Sequence, residues 1–119
     1  MDAYFDEFLH VPARLSIVAL LAPADWVDFA FVRDTVETSD SALSKQISAL
    51  ADVGYVAVRK GRDAGVRRTR VRLTPQGREA FRRHAAALEQ IVAAARARPR
   101  ETATATEPEN PGTSRASGS

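Results

Sequence analysis

Residues 59–98 hold 12 basic and 3 acidic side chains, whereas residues 1–58 hold 3 and 9 and residues 99–119 hold 2 and 3, so a formal net charge of +2 conceals one strongly basic half. Guanidinium groups gathered in this way gain by displacing counterions from a polyanion. Three of them, Arg62, Arg67 and Arg68, fall in the stretch 61–68 with Gly61, Asp63 and Gly65, a glycine-bearing basic tip. Their planar, permanently charged and weakly hydrated heads suit phosphates and narrow electronegative grooves.

Other chemistry is poorly served. The chain has no cysteine and two histidines, His10 and His84, without ligand-like spacing, so neither a disulfide framework nor a metal centre is expected. Ser, Asp and His side chains are scattered over different segments with no nucleophile elbow and no glycine-rich phosphate cradle. An enzyme is not expected, nor a cofactor.

The elements that must carry the basic tip are legible from pattern. Pro12 can open a helix over residues 12–21, with Leu15, Val18, Ala19 and Ala22 at helical spacing until Pro23. Trp26 and Val27 suit a short extended piece that could pair as a third strand. Asp28 is placed to cap a second helix, 29–36, with Phe29, Val32 and Val36 on one face. Glu37 and Thr38 make a turn, Ser39 or Asp40 caps a third helix, and Leu43, Ile47 and Leu50 recur at i, i+4, i+7 along 41–53. Ser41, Ser44, Lys45, Ser48 and Asp52 then face outward. Gly54 is suited to the left-handed position that closes this helix.

From Tyr55 the period becomes two. Val56 and Val58 share a face with Thr69, Val71 and Leu73, leaving Arg70 and Arg72 on the other, solvated or turned to phosphates. Thr74 followed by Pro75 is a strong helix start. The order of helix, turn, helix, glycine, strand, basic hairpin and strand predicts an α+β fold of the winged helix-turn-helix type: a three-helix core, a small antiparallel β-hairpin wing and a C-terminal dimerisation helix. Such a fold places a recognition helix with a small polar face in the major groove. Ser41, Ala42, Ser44, Lys45 and Gln46 are the candidate recognition-helix residues, and Arg62, Arg67 and Arg68 the candidate wing residues, for double-stranded DNA. Arg78, Arg82 and Arg83 are candidates for backbone phosphates.

The last helix is expected to reach about Arg96. Phe81, Leu88 and Ala95 repeat every seven residues, with His84 and Ile91 between and Val92 alongside, a seam of coiled-coil type. Near the N-terminus Tyr4, Phe5, Phe8 and Leu9 form an apolar turn laid on the rest of the domain or on a second subunit. Tyr4, Phe5, Phe8, Phe81, His84, Leu88, Ile91 and Val92 are therefore the candidate homodimer interface, and His10 is expected to tie down the first helix. Residues 1–98 read as one winged-helix domain and residues 99–119, without a large apolar side chain, as a disordered tail. No apolar run approaches the roughly 20 residues of a membrane span, and the first ten residues are acidic where a signal peptide would be basic. A cytoplasmic protein with no membrane partner is expected.

Three stretches, LHVPARLSIVALL, SDSALSKQISALADVGYV and KGRDAGVRRTRVRLTPQGREAF, resemble compact winged-helix regulators related to the MarR family, over residues 9–92. The resemblance implies a homodimer on a pseudo-palindromic operator, helix 3 in the major groove, wings in flanking minor grooves, and a repressor more often than an activator. Such sequences often carry Gly at the place of Glu37, Asn at Ala42 and His at Gln46. The first departure puts a non-glycine at a left-handed position, a cost of roughly 1 kcal/mol, and the others bear on base preference. The chain lacks the further terminal helices that enclose ligands in full-length MarR proteins, so the resemblance implies no effector pocket. A small-molecule effector site between helix 1 and the dimer helices is a separate expectation, open to a ligand screen. The competing reading is a winged-helix protein-interaction module that offers its basic surface to an acidic protein. Within the first reading, affinity is assigned to Arg59 through Arg83 and specificity to Ser41 through Gln46.

Overall fold

Proline and glycine punctuate the chain where its elements change. In the computed structural model, which describes residues 4–97, the order is α1 (Pro12–Leu21), β1 (Val27–Asp28), α2 (Phe29–Thr35), α3 (Asp40–Asp52), β2 (Val56–Asp63), β3 (Val66–Leu73) and α4 (Pro75–Arg96). The three strands form one antiparallel sheet in the order β1-β3-β2. This is the expected α+β architecture of a helical trio, a small sheet and a projecting hairpin. None of the helices described is long and apolar enough to cross a membrane.

One core joins the layers. Leu9, Ile17, Val18, Leu21, Val32, Leu43, Ile47, Leu50, Val56, Val71 and Leu73 are buried together, with Phe8, Val27, Phe29, Tyr55 and Phe81 packed around them. The stripe on α3 is the one its spacing predicts. That on α1 is not: Ile17, Val18 and Leu21 are buried, while Ala19 is exposed. Arg14 and Ser16 are the only polar side chains on α1 and apolar residues lie on most of its sides, so spacing alone leaves its rotation undetermined.

The ends of α2 and α3 are closed by one device. After α3, Gly54 takes φ +84°, its N–H bonds Ala51 O and the Tyr55 N–H reaches back to Leu50 O, both at 2.9 Å. After α2, Thr38 N–H reaches Arg33 O at 3.0 Å across Glu37, which holds φ +57°. Both are the bond pattern of a left-handed helix stop. Glu37 thus occupies the strained position the sequence predicts. At the start of α3, Ser39 rather than Asp40 is the cap, its Oγ accepting the Ala42 N–H at 3.1 Å. Asp40 instead accepts from Arg33 at 2.9 Å, pinning α2 to α3. Asp28 precedes α2 in the cap position but makes no capping bond; its carboxylate is taken by Arg70 at 3.1 Å.

The exit of the hairpin is bound to the end of α3. The Thr74 hydroxyl donates to Gly54 O at 2.6 Å and accepts the Gly77 N–H at 2.9 Å, while Thr74 N–H donates to Tyr55 O at 3.0 Å. Gly77 lies so close that a Cβ there would stand 2.0 Å from the Tyr55 carbonyl oxygen. No side-chain rotation relieves a clash with backbone.

Among the described residues, 4–87 form one compact unit and 88–97 belong to a second. Within the second, the described residues continue α4, and Ile91 and Val92 are exposed. The tail expected at residues 99–119 lies outside the described residues.

Gly77→Ala should lower stability by about 2–3 kcal/mol, the usual range for overpacking a tight contact, read as a reduced urea midpoint at unchanged slope. Gly61→Ala, where nothing lies within 4 Å of the new methyl group, should leave the midpoint unchanged within about 0.5 kcal/mol.

Candidate nucleic-acid interface

The hairpin tip is tighter than its composition predicts. The ladder between β2 and β3 continues to the pair Asp63↔Val66. Only Ala64 and Gly65 form the turn, at φ +51° and +81°. Positive φ at both central residues is the twist-matched two-residue hairpin turn. The stretch 61–68 is therefore mostly paired strand, and the period of two governs where its arginines point.

That period divides the cations. Lys60, Arg62 and Arg67 share the face of the hairpin that is continuous with Val56, Val58, Val71 and Leu73, as the pairs Val58↔Val71, Lys60↔Thr69 and Arg62↔Arg67 show. They border a cleft of about 330 Å³ with Gly61, Arg68 and Thr69. Among the described residues neither Lys60 nor Arg67 has an ion pair or hydrogen bond through its side chain, and Arg62 donates only to Gly65 O at 3.2 Å. Val58, though on the core face, is 40% exposed, because the buried core ends at Val56 and Val71, well short of the tip.

The opposite face is already neutralised. Arg70 donates to Asp28 at 3.1 Å and Asp63 at 2.8 Å, and Arg68 lies 3.8 Å from both carboxylates. Arg72 pairs with Asp25 at 3.0 Å and lies 4.8 Å over the Trp26 ring, which Arg59 also covers at 4.2 Å. The expectation that Arg70 and Arg72 are solvated or turned to phosphates is thereby corrected: Asp25 and Asp28 of the α1–α2 segment, distant in sequence, and Asp63 of β2 hold them. By the same parity Arg68 belongs to the opposite face from Arg62 and Arg67, although it borders the same cleft.

The arginines of α4 are similarly engaged. Arg78 donates to Ala24 O at 2.8 Å and to Ala22 O, closing the carbonyls beyond α1. Hydrogen bonds from Arg82 and Arg83 hold the Glu79 carboxyl down at about 2.

On α3 the outward face is formed as expected. Ser41, Ala42, Ser44 and Lys45 are exposed, and Lys45 has no side-chain partner among the described residues. Gln46 differs from them. It is half-buried on the flank of α3, and its Oε1 accepts from Arg14 Nε of α1 at 3.0 Å. With Pro12, Ser16, Glu37, Thr38 and Ala42 it borders a second cleft, of about 300 Å³. Sequence reasoning did not single out Arg14, because the partner that reveals it lies 32 residues away.

Of the residues assigned to a dimer interface, several are used inside the protomer. His84 is fully enclosed, its Nδ1 accepting the Asp6 N–H at 3.0 Å and its ring 4.8 Å from Phe5 and 5.3 Å from His10. Its assignment to a dimer seam is corrected: the N-terminal segment folds over that part of α4. Phe8 packs on Tyr55, 6.0 Å between rings, and beneath Arg14, while Phe81 packs on the core. Tyr55 donates to Asp6 Oδ2 at 2.8 Å, and burial with that bond pushes its hydroxyl up to about 12. Tyr4 is half exposed, under Arg83. Leu88 is half-buried, and Ile91 and Val92 are the exposed apolar residues of the helix end.

The family model of a winged helix DNA-binding domain matches residues 13–92. An uncharacterized protein of Methanocaldococcus jannaschii is 27% identical over 71 residues, which are 60% of this chain and 77% of that protein. A transcriptional regulator homologue from Pyrococcus horikoshii OT3 superposes with TM-score 0.70 at 26% identity, over 75% of this chain and 88% of its own. PcaV of Streptomyces coelicolor, a transcriptional regulator solved with its natural ligand, superposes with TM-score 0.62 at 24% identity, over 85% and 72%. YusO of Bacillus subtilis gives 0.64 at 19% identity, over 83% and 71%. The last two likenesses are of fold.

Enclosure of His84 has a consequence for stability. Burial, and after it the neighbouring His10, holds this imidazole below its ordinary 6.5. The unfolded chain therefore binds a proton that the folded chain refuses, so stability falls as pH drops below about 6.5, by at most about 1.4 kcal/mol per unit. The melting temperature should decline from pH 7 to pH 5, above the range where Asp34 and Glu79 titrate. His84→Leu, whatever its stability at pH 7, should flatten that decline.

Proposed function

This chain belongs to the winged helix DNA-binding domain family, and from that premise we propose that it is a sequence-specific transcriptional regulator, acting as a homodimer on a pseudo-palindromic operator and repressing from it. The observation that carries the reading is the division of the hairpin cations. Three cations, Lys60, Arg62 and Arg67, stand without a carboxylate partner on the core-continuous face of the wing, while the other face is closed by Asp25, Asp28 and Asp63. A basic surface kept solely for solubility has no need of that asymmetry. A phosphate-binding one does, since each unpaired cation that meets a phosphate releases a counterion.

The roles then divide along the chain. Lys60, Arg62 and Arg67 supply affinity, and the exposed face of α3 from Ser41 to Lys45, with Gln46 at its flank, supplies specificity. Residues 1–98 work as one DNA-binding domain, cytoplasmic in location, whose α4 ends in the apolar Ile91 and Val92 that meet a second copy. The cleft of about 300 Å³ beside Glu37 and Gln46 is of a size for a small-molecule effector. A ligand there would act on the recognition helix directly, and a thermal-shift screen that is flat across varied small molecules would remove it from the account.

Arg67→Ala should weaken binding to every duplex alike and reduce the slope of log affinity against log salt by about 0.9, one phosphate's worth. Arg72→Ala should leave the slope unchanged, because Asp25 already holds that guanidinium. Equal slopes for both variants would remove the division of cations from the account. Retention of an acidic protein with no affinity for DNA would favour the interaction-module reading instead.

A further inference from the structure

Gln46 is a recognition-helix residue whose side chain is tied to another helix. Its Oε1 faces Arg14 Nε at 3.0 Å. A guanidinium only donates, so the amide atom turned toward it has to be the oxygen, and the orientation of this amide follows from chemistry. Arg14 is itself fixed: Nη1 donates to Phe8 O at 3.2 Å, and the guanidinium lies 4.2 Å over the Phe8 ring. The bond from α1 therefore sets the Gln46 rotamer rather than following it. Nε2 of Gln46 has no hydrogen-bond partner among the described residues and is not among their buried unpartnered atoms, so it is open to solvent. Gln46 borders the cleft that Ala42 and Thr38 also line.

The base a glutamine prefers depends on which of its atoms are available. A glutamine with both ends free reads adenine, accepting from N6 and donating to N7 in one bidentate pair. One lone pair of the oxygen is held by Arg14, and the guanidinium beside it repels the adenine amino group that would approach the other, so the accepting half of that pair is lost. What remains is a donor, which suits the acceptor edges: O6 and N7 of guanine, or O4 of thymine. Guanine offers two acceptors in reach of one NH2 group.

We infer that Arg14 is a positioning residue for specificity, which by tying the Gln46 carbonyl oxygen makes Gln46 a donor-only reader, so that the base it contacts in each half-site is guanine and not adenine. The inference rests on the DNA-binding reading above.

The test is selection from a random duplex library by the full chain and its variants. The wild type should enrich a motif with one guanine per half-site that Gln46→Ala loses, a preference on the order of tenfold. Gln46→Glu keeps a partner for Arg14 but has no N–H to give, and should lose the same guanine while the rest of the motif stays. Arg14→Met frees the oxygen and should move that position toward adenine. Because loss of the Phe8 contact could unfold Arg14→Met, the Gln46→Glu result stands by itself. An adenine at the Gln46-dependent position in the wild type would overturn the inference. So would a selected motif with no position sensitive to Gln46, or a folded Arg14→Met with unchanged base preference; all three leave DNA binding intact. Failure to enrich any motif would overturn the DNA-binding reading along with it.

Discussion

The junction of Gly54 and Tyr55 with Thr74 and Gly77 is the constraint on which the other parts depend. One hydroxyl satisfies the last turn of α3 and the first turn of α4 together, donating to Gly54 O and accepting the Gly77 N–H. The two glycines serve it differently. Gly54 supplies the left-handed backbone that stops α3, and Gly77 the absent Cβ that lets α4 approach Tyr55. Between these points the chain leaves as β2 and returns as β3, so the hairpin, the recognition helix and α4 all take their direction from one short piece of backbone. Each bond is worth only about 1 kcal/mol. Their joint effect is geometric, because none can shift without the others.

The second organising fact is that most of the basic charge is spent internally. Asp25 and Asp28 precede α2 yet hold Arg70 and Arg72 of β3, while Glu79 takes Arg82 and Arg83. Exposed pairs of this type contribute little to stability. They decide instead which cations remain available, and the choice follows strand parity: odd-facing and even-facing residues of one hairpin meet different surroundings. On the paired face Trp26 lies beneath Arg59 and Arg72, holding both guanidinium groups against its ring.

Much of this was legible in the sequence. The α3 stripe of Leu43, Ile47 and Leu50, the stop at Gly54, the third strand at Val27 and the Thr74-Pro75 start each rest on a local signal within a few residues, and each is found where that signal puts it. What was hidden depends on residues brought together by the fold. Asp28 looks like a cap until Arg70, 42 positions away, takes its carboxylate. His84 looks like part of a dimer seam until Asp6 and Phe5 cover it. The rotation of α1 was hidden for another reason, since a helix with alanine and leucine on most sides gives the period nothing to distinguish. The tight turn at Ala64 and Gly65 escaped notice because alanine is an unusual residue at a positive φ. On the outward side, the groups to which DNA contact is assigned in the proposal, Arg62, Arg67 and the α3 face, were read from residue type; which arginines are free was not.

A winged helix with three unpaired wing cations and a small polar recognition face is an account of selective DNA binding, and its most direct test is capture of fragments from the organism's own genome by the purified full chain at physiological salt. The account predicts recovery of discrete sites that share an inverted repeat, the half-sites about one helical turn, roughly 10 base pairs, apart. Recovery that merely follows the abundance of the input fragments, with no shared motif, would contradict it.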